Sequence, residues 1–468
     1  MSETPALPAT TNPVPLDLPS ETIFAWEQEG FPQTDYASFS MRGPCDAQAL
    51  REALWQCQDQ RPFFHANLIP TRIGLWQVLA WHERDARVEL EVRDFTGLEA
   101  VPEDMESWIH GQMAGEIDHV LDLRANFPVR FILYRLPREH HVLVFFFHHV
   151  AIDGGGMYDF LREVFRVYHR AVEGAQPEWA DAAGIHSQSG GAGAVSAIST
   201  WRALGRALAE GRRYPMHRAV QIAGESSDLR GRNMVRHIVE DPDLQRALRD
   251  RARRDGGSIT DLFLAASKLA IEQWNLSRNA LAGIMYHGLA VNQRLRQDRA
   301  RTKAQGNPMS GISIPSDPAD RRDPEALLRH VIERRKELIE QGFDIALSRI
   351  VHGIQRAGRV IPLSARYRWL RVILDAKSTF FVTNVGVVWP RIEGGRPTGE
   401  TLIRRVGQME LLDVHASVGS TKNNFAALIL RTFLGRLYVV LSLGRHRISD
   451  EDAKEFSKLV FDKAMDYL

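Results

Sequence analysis

The apolar positions of this chain change period along its length, and the changes predict its elements. YASFSMRG, residues 36–43, alternates and is rich in aromatics, as a strand does. DAQALREALWQCQDQ follows, with Leu50, Ala53, Leu54 and Cys57 at helical spacing and Asp46 where an N-cap belongs. GLWQVLAWHE and ARVELEVRDF read as further strands. VRFILYRLPREHHVLVFFF holds two apolar runs around a polar LPREHH turn. It predicts a hairpin whose second strand, apolar throughout, is buried on both faces. After it, MYDFLREVFRVYHRAV sets Met157, Phe160, Leu161, Val164, Phe165 and Tyr168 on one helical face.

AGIHSQSGGAGAVSAIS, residues 183–199, breaks the pattern with Gly, Ser and Ala and reads as a linker. The alternation then restarts. NMVRHIVE predicts a strand and DPDLQRALRDRARRD a helix. SITDLFLAASKLAIEQW predicts a second helix, with Ser258 or Thr260 as N-cap and a stripe at Leu262, Ala266, Leu269 and Ala270. IMYHGLAVNQR reads as a strand. FAALILRTFLGRLYVVLSL reads as a hairpin turning at Gly435, and SDEDAKEFSKLVFDKAMDYL as a closing helix capped by Ser449. Strands mixed with helices in two similar halves predict the α/β class, built as two α+β sandwich domains.

Size and composition narrow the picture. A chain of 468 residues is too long for one average domain. With 44% hydrophobic and 25% charged residues, it is not disordered as a whole. The net charge is +1, and no basic block carries interleaved aromatics, so no nucleic-acid partner is expected. The arginine-rich LQRALRDRARR reads as a solvated helix face. Cys45 and Cys57 lie on one short stretch, which makes no disulfide framework and suits packed thiols in a reduced compartment. MSETPALPATTNPVPLDLPS lacks the basic start and apolar centre of a signal peptide and reads as a flexible tail. No stretch approaches the roughly 20 apolar residues of a transmembrane segment, and a cytoplasmic location is expected.

The candidate chemistry lies at HHVAIDGGG, residues 148–156, between the buried strand and the helix that follows. A strand aims side chains rigidly, and glycine lets a ligand approach the backbone. His148 and His149 are adjacent on a strand, so they point to opposite faces and do not share an ion. No third ligand is nearby, and no metal site is predicted. One reading is structural: a buried, hydrogen-bonded histidine pair with Asp153 capping the helix. The other is chemical. A neutral imidazole, with an ordinary pKa of about 6.5, is a general base at cytoplasmic pH.

HHVAIDG resembles the HHxxxDG signature of the chloramphenicol-acetyltransferase-like superfamily. That group includes nonribosomal peptide condensation domains, plant-type BAHD acyltransferases, polyketide-associated acyltransferases and wax ester synthases. Three further stretches follow in the family's order. AVNQR, with Asn292 and Arg294, is similar to a condensation-domain strand that carries an arginine. QGNPMSGISIP, with Gly306 and Asn307, is similar to the segment after it. FFVTNVG, with Thr383, Asn384 and Gly386, resembles the SNVPGP-like segment of wax ester synthases. The likeness runs from about residue 36 to the C-terminus. The DFGWG segment of BAHD enzymes is absent, which disfavours that branch. The first histidine is not an aspartate, which disfavours a heterocyclising one. No adenylation or carrier domain is fused, so the chain reads as a free-standing enzyme.

The resemblance implies two chloramphenicol-acetyltransferase-like domains that form a V around a central active-site tunnel. It divides the chain into a tail over 1–20, an N-terminal domain over 21–180, a crossover over 181–225 and a C-terminal domain over 226–468. It implies an acyltransferase that moves an acyl group from a coenzyme A or carrier-protein thioester to an alcohol or amine. The thioester is a co-substrate, and no tightly bound cofactor is implied. His149 would be the base. His148 would face the other way and hold the strand. Asp153 would pair with Arg294 and fix the turn, though Arg294 also reads as a surface arginine. Gly154 would leave room for the donor arm and offer its amide to the oxyanion. Asn384, with Thr383 beside it, would offer a second donor from the C-terminal domain, and a turn residue beside Gly386 is its other reading. Ser417, Ser420, Asn423 and Asn424 form a polar stretch with two readings, a wall of the tunnel or, as the favoured one, a solvated loop. A non-catalytic fold that docks a carrier protein, or acts as a scaffold, is the alternative function. A hydrolase would lack the G-x-S-x-G elbow that supplies a serine.

Overall fold

The computed structural model describes residues 13–28, 30–177, 179, 205, 209, 219–229, 231–292, 309–344, 353–368, 378–393 and 396–468. The first half runs β1 (Val14–Pro15), α1 (Leu18–Glu27), β2 (Thr34–Arg42), α2 (Ala47–Gln58), β3 (Ala66–Ile73), β4 (Trp76–Glu83), β5 (Leu90–Asp94), α3 (Met105–Ile117), β6 (Val129–Leu136), β7 (His140–His148) and α4 (Gly154–Glu173). The second half begins β8 (Arg232–Val239), α5 (Pro242–Arg254), α6 (Ile259–Ser277), β9 (Met285–Asn292), β10 (Met309–Ser316) and α7 (Pro324–Glu340). It continues β11 (Phe380–Val387), β12 (Pro390–Glu393), β13 (Arg396–Thr401), β14 (Arg405–Val406), β15 (Met409–Ala416), β16 (Ala426–Phe433), β17 (Arg436–Gly444) and α8 (Asp450–Met465).

Each half is built on one mixed sheet covered by helices, as the alternation of periods predicts. The first sheet has the order β14-β15-β2-β7-β6-β5, and the second β10-β9-β11-β16-β17-β8. The division is not clean. β15 comes from the second half but pairs antiparallel with β2, with Ala416 opposite Ala37. One apolar cluster therefore spans both sheets, joining Phe39, Phe145 and Phe165 to Ile429, Phe433 and Tyr438. Trp389 is at its centre. Its ring stacks on Phe39 with centroids 4.8 Å apart, and its Nε1 donates to the Tyr158 carbonyl at 2.9 Å.

Order extends closer to the N-terminus than the expected tail over 1–20. Residues 1–12 lie outside the described residues, but Val14 pairs with Trp81 and Leu16 is buried. Asp17 then caps α1, accepting from the Ser20 amide at 2.8 Å, with a proline in the first turn. The stripe predicted on α6 is largely buried, but so are Phe263, Leu264, Ala265 and Lys268. This helix packs on α7 and α8 as well as the sheet, so it has almost no solvent face. Cys45 and Cys57 are free and packed, and burial pushes their thiols up to about 11 and about 12. Among the described residues, no helix is long and apolar enough to cross a membrane.

Candidate active site

The turn from β7 into α4 aims the two histidines in different directions. β7 alternates its side chains, with Phe147 toward the shared cluster and Phe146 toward α3. His148 is fully buried and reaches back to α1. The Val150 amide donates to its Nδ1 at 3.2 Å, so the ring proton is on Nε2. Glu27 accepts that proton at 2.9 and 3.0 Å and also accepts from the Gln33 amide at 3.2 Å. Every ring atom able to hydrogen-bond is thus committed to holding the strand end in place.

His149 is half-buried, and its amide donates to the Gln33 carbonyl at 2.8 Å. Its ring lines a cavity of about 130 Å³ between the two halves. Asp153 and Gly154 line the same cavity from the start of α4, and Thr383 and Asn384 line it from β11. Asp153 is fully buried and caps α4, accepting from the Gly156 amide at 2.7 Å. A Cβ built on Gly154 meets nothing within 4 Å, so the chain leaves open space there.

Asn384 is engaged in a turn of its own. Its Oδ1 accepts from the Gly386 amide at 2.7 Å, across a bulge where Gly386 has φ +77°. Its Nδ2 donates one proton to Thr260 Oγ1 at 2.8 Å, which leaves a second N–H on the same amide. Five of the predicted residues, His149, Asp153, Gly154, Thr383 and Asn384, thus meet at one cavity, while His148 turns away. Arg294, with Gly306 and Asn307, lies outside the described residues.

Sequence reasoning missed the charged pair beside His149. Asp35, on β2, lines the cavity and is 2% exposed. Arg232, the first residue of β8, donates to Asp35 Oδ1 at 2.7 Å and to the Thr34 and Ile117 carbonyls at 2.7 and 3.1 Å. Burial pushes the Asp35 carboxyl up, while Arg232, His149 and His148 pull it back down. The two residues are 197 apart in the chain, so no local pattern joins them. Asp35 carried one signal, a carboxylate at the mouth of an apolar strand. Ser417 corrects the solvated-loop reading. It is buried, lines the cavity, and exchanges hydrogen bonds with the Tyr36 backbone at 2.9 and 3.0 Å. Ser420 is buried as well, its carbonyl accepting from Gln33 Nε2 at 3.0 Å.

A family model described as "Condensation domain" matches residues 34–290. Among curated proteins, the "Probable non-canonical nonribosomal peptide synthetase (NRPS) CymA" of Salinispora arenicola is 32% identical over 165 residues. The match covers 32% of this chain and 2% of that protein. The "Isonitrile lipopeptide synthase" of Mycobacterium tuberculosis is 25% identical over 170 residues, 36% of this chain and 6% of that protein. The chain thus matches only a few per cent of these curated relatives. A solved starter condensation domain of rhizomide synthetase RzmA, in complex with C8-CoA, has a TM-score of 0.66 at 14% identity. The likeness covers 97% of this chain and 94% of that one. The first condensation domain of the calcium-dependent antibiotic synthetase, with a substrate analogue, scores 0.66 at 15% identity over 98% and 97% of the two chains. At these identities the likeness shows the fold: two chloramphenicol-acetyltransferase-like lobes.

Proposed function

This chain belongs to the condensation-domain family, and from that premise we propose that it transfers an acyl group from a thioester to a hydroxyl or amine acceptor. The observation that supports this most is the shared cavity, with His149 contributed by one half and Thr383 and Asn384 by the other. The acceptor's O–H or N–H meets the His149 imidazole. The ring takes the proton as the acceptor attacks the thioester carbonyl, and the carbonyl electron pair moves to oxygen. Collapse of the tetrahedral intermediate breaks the C–S bond. The imidazolium returns its proton to the leaving sulfur, so an ester or amide and a free thiol result.

The surrounding groups serve that sequence. The Asp35 carboxylate, already attracted to His149, steadies the imidazolium. The free space at Gly154 takes the donor arm, whose thioester is a co-substrate carried by coenzyme A or a carrier protein. The Gly154 amide and the second N–H of Asn384 are the donors for the oxyanion. Asp153 fixes the turn by capping α4. The test is thiol release from acyl-coenzyme A donors of rising chain length and from acyl-loaded carrier protein, with mixed alcohols and amines as acceptors. His149→Ala should lower acceptor-dependent release by about 10²–10⁴. Silence across both donor types, or a fully active His149→Ala enzyme, would refute the reading. Silence with retained carrier binding would favour the docking scaffold.

A further inference from the structure

The small sheet β1-β4-β3 carries an apolar tip. Ile73 pairs with Trp76, so Gly74 and Leu75 make a two-residue turn, with Gly74 at φ +60°. Such turns ordinarily hold polar residues. Here Leu75 is 78% exposed, Trp76 42% and Ile73 37%. Every residue from 72 to 77 is exposed, and Arg72 folds over the turn, its Nε donating to the Gly74 carbonyl at 3.3 Å.

A segment from the other half of the chain, residues 353–368, lies beside this hairpin. Arg366 Nη1 donates to the Gln77 carbonyl at 2.9 Å, next in the chain to Trp76. Arg359 Nη2 donates to Glu21 at 3.1 Å and to the Leu16 carbonyl at 3.2 Å. Tyr367 is buried in one apolar cluster with Leu79 and Trp81. These contacts fix the segment against α1 and β4. Its outer residues are apolar or basic. Val360 is 61% exposed, Ile361 46% and Ile354 42%, and Arg356 and Arg368 are exposed with them.

The two pieces carry charge of one sign. Residues 66–80 contain Arg72 and no acidic residue, and residues 353–368 contain Arg356, Arg359, Arg366 and Arg368 and no acidic residue. Glu21 takes up Arg359 and Arg366 from beneath. Arg72, Arg356 and Arg368 form no ion pair among the described residues. The first acidic residue along β4 is Glu83, at the far end of the strand, about 23 Å from Trp76. The surface thus offers six apolar side chains and three spare cations. Apolar groups and a tryptophan enter the boundary between lipid headgroups and acyl chains, while arginine stems lie along the apolar surface and their guanidiniums meet the phosphates. An acidic protein would match the charge, but protein interfaces seat their anchors in close-fitting pockets. Apolar residues on an exposed turn need no fitted pocket in a fluid lipid surface.

We propose that the β3-β4 turn and residues 353–368 form a docking surface for an anionic lipid bilayer. The chain lies on such a surface and does not span it. Ile73, Leu75, Trp76, Val360 and Ile361 enter the interface, and Arg72, Arg356 and Arg368 hold the headgroup phosphates. This inference stands independently of the acyl-transfer reading.

Co-sedimentation of the full chain with vesicles tests it. The chain should bind vesicles of equal parts phosphatidylcholine and phosphatidylglycerol, bind phosphatidylcholine alone far more weakly, and lose most of the difference in about 0.5 M salt. The triple variant Arg72→Gln, Arg356→Gln, Arg368→Gln should bind the anionic vesicles about a hundredfold more weakly, from about fivefold for each cation near the surface. The corresponding triple lysine variant should recover most of that loss. Leu75→Ser, an exposed change that spares the fold, should weaken binding about tenfold on both kinds of vesicle. Thiol release from soluble donors should be the same in all these variants as in the parent. No binding to anionic vesicles, equal binding to both kinds, or an arginine variant that binds as the parent does would each overturn the proposal. So would an acidic carrier protein that binds through these arginines while the vesicles do not, which would assign the surface to a protein. Vesicle binding by a chain that releases no thiol would overturn the acyl-transfer reading and leave the docking surface standing.

Discussion

Replacing Arg232 with methionine tests whether the buried pair beside His149 holds the two halves together. Arg232 is 1% exposed, and its guanidinium ties β2, the end of α3 and the start of β8 through contacts of 2.7, 2.7 and 3.1 Å. Methionine fills much of the stem's volume but leaves Asp35 charged, buried and without its cation. Removing one partner of a buried pair costs about 3–5 kcal/mol. That is a large part of the roughly 5–15 kcal/mol by which such domains are stable. Asp118 adds to the cost, because its carboxyl is also pushed up by burial and pulled back by Arg232. The effect should depend on pH. Burial already holds the folded Asp35 pKa above its ordinary 3.8, and losing Arg232 raises it further. The folded variant then binds a proton that the unfolded chain releases above about 3.8, so its stability falls as pH rises through that window. Urea unfolding at pH 7 and pH 5 should therefore show a smaller deficit at pH 5. The double variant Asp35→Asn, Arg232→Met should be more stable at pH 7 than Arg232→Met alone, because no bare charge remains. A single variant that loses less than about 1 kcal/mol at pH 7, or a deficit that neither acid nor Asp35→Asn reduces, would refute the reasoning.

Gly154→Ala should fold with its stability unchanged or raised by up to about 1 kcal/mol, since the methyl meets open space at a helix start. The same methyl should lower kcat/KM for the thioester about tenfold to a hundredfold, the equivalent of roughly 1–3 kcal/mol of steric conflict with the donor arm; unchanged kinetics would place the arm elsewhere. His287 and Lys268 are fully buried in the second half, and burial holds both pKa values well below their ordinary ranges. Below pH 6.5 the unfolded His287 takes up a proton that the folded ring refuses, so stability should fall by up to about 1.4 kcal/mol per pH unit. His287→Phe should flatten that slope in urea midpoints measured from pH 7.5 to 5.5, and an unchanged slope would assign it to other groups. Raising the ionic strength from about 0.01 to 0.15 M shortens the screening length from roughly 30 to 8 Å. KM for acyl-coenzyme A should rise with salt while kcat holds, and a change confined to kcat would contradict recognition of the donor by charge.

What the sequence made legible was local. HHVAIDGGG could be placed on a strand-to-helix turn because both flanking periods are strong, and Asp46, Ser258 and Ser449 cap the helices their positions suggest. What stayed hidden depends on residues far apart in the chain. Glu27 meets His148 across 121 positions, and α1 itself went unread because LPSETIFAWE follows a run of prolines with only a weak stripe. β15 crosses to the first sheet because β2 offers an open edge, which no pattern within MELLDVHA can announce. The polar stretch after it looked solvated for the same reason. Ser417 is buried only because the crossing strand carries it against Tyr36.

The crossing strand also explains why the charges of the cavity are matched by fixed partners. β15 and the Trp389 stack draw the two sheets together beside His149, which takes the groups around it largely out of water. In such a place an unmatched charge is costly, so the charge of Asp35 is matched by Arg232 and the polar atoms of His148 are taken up by Glu27 and Val150. A larger groove, lined by Arg246, Arg249 and Arg253 of α5, lies outside the crossing, and there the tips of Arg246 and Arg253 are exposed. The wall residues common to both spaces are Ala290, Asn384 and Val385. Two of these belong to β11, whose bulge at Asn384 turns that strand edge outward at the junction. The bulge that makes Asn384 look like a mere turn residue thus lies where that residue lines both the groove and the cavity of His149.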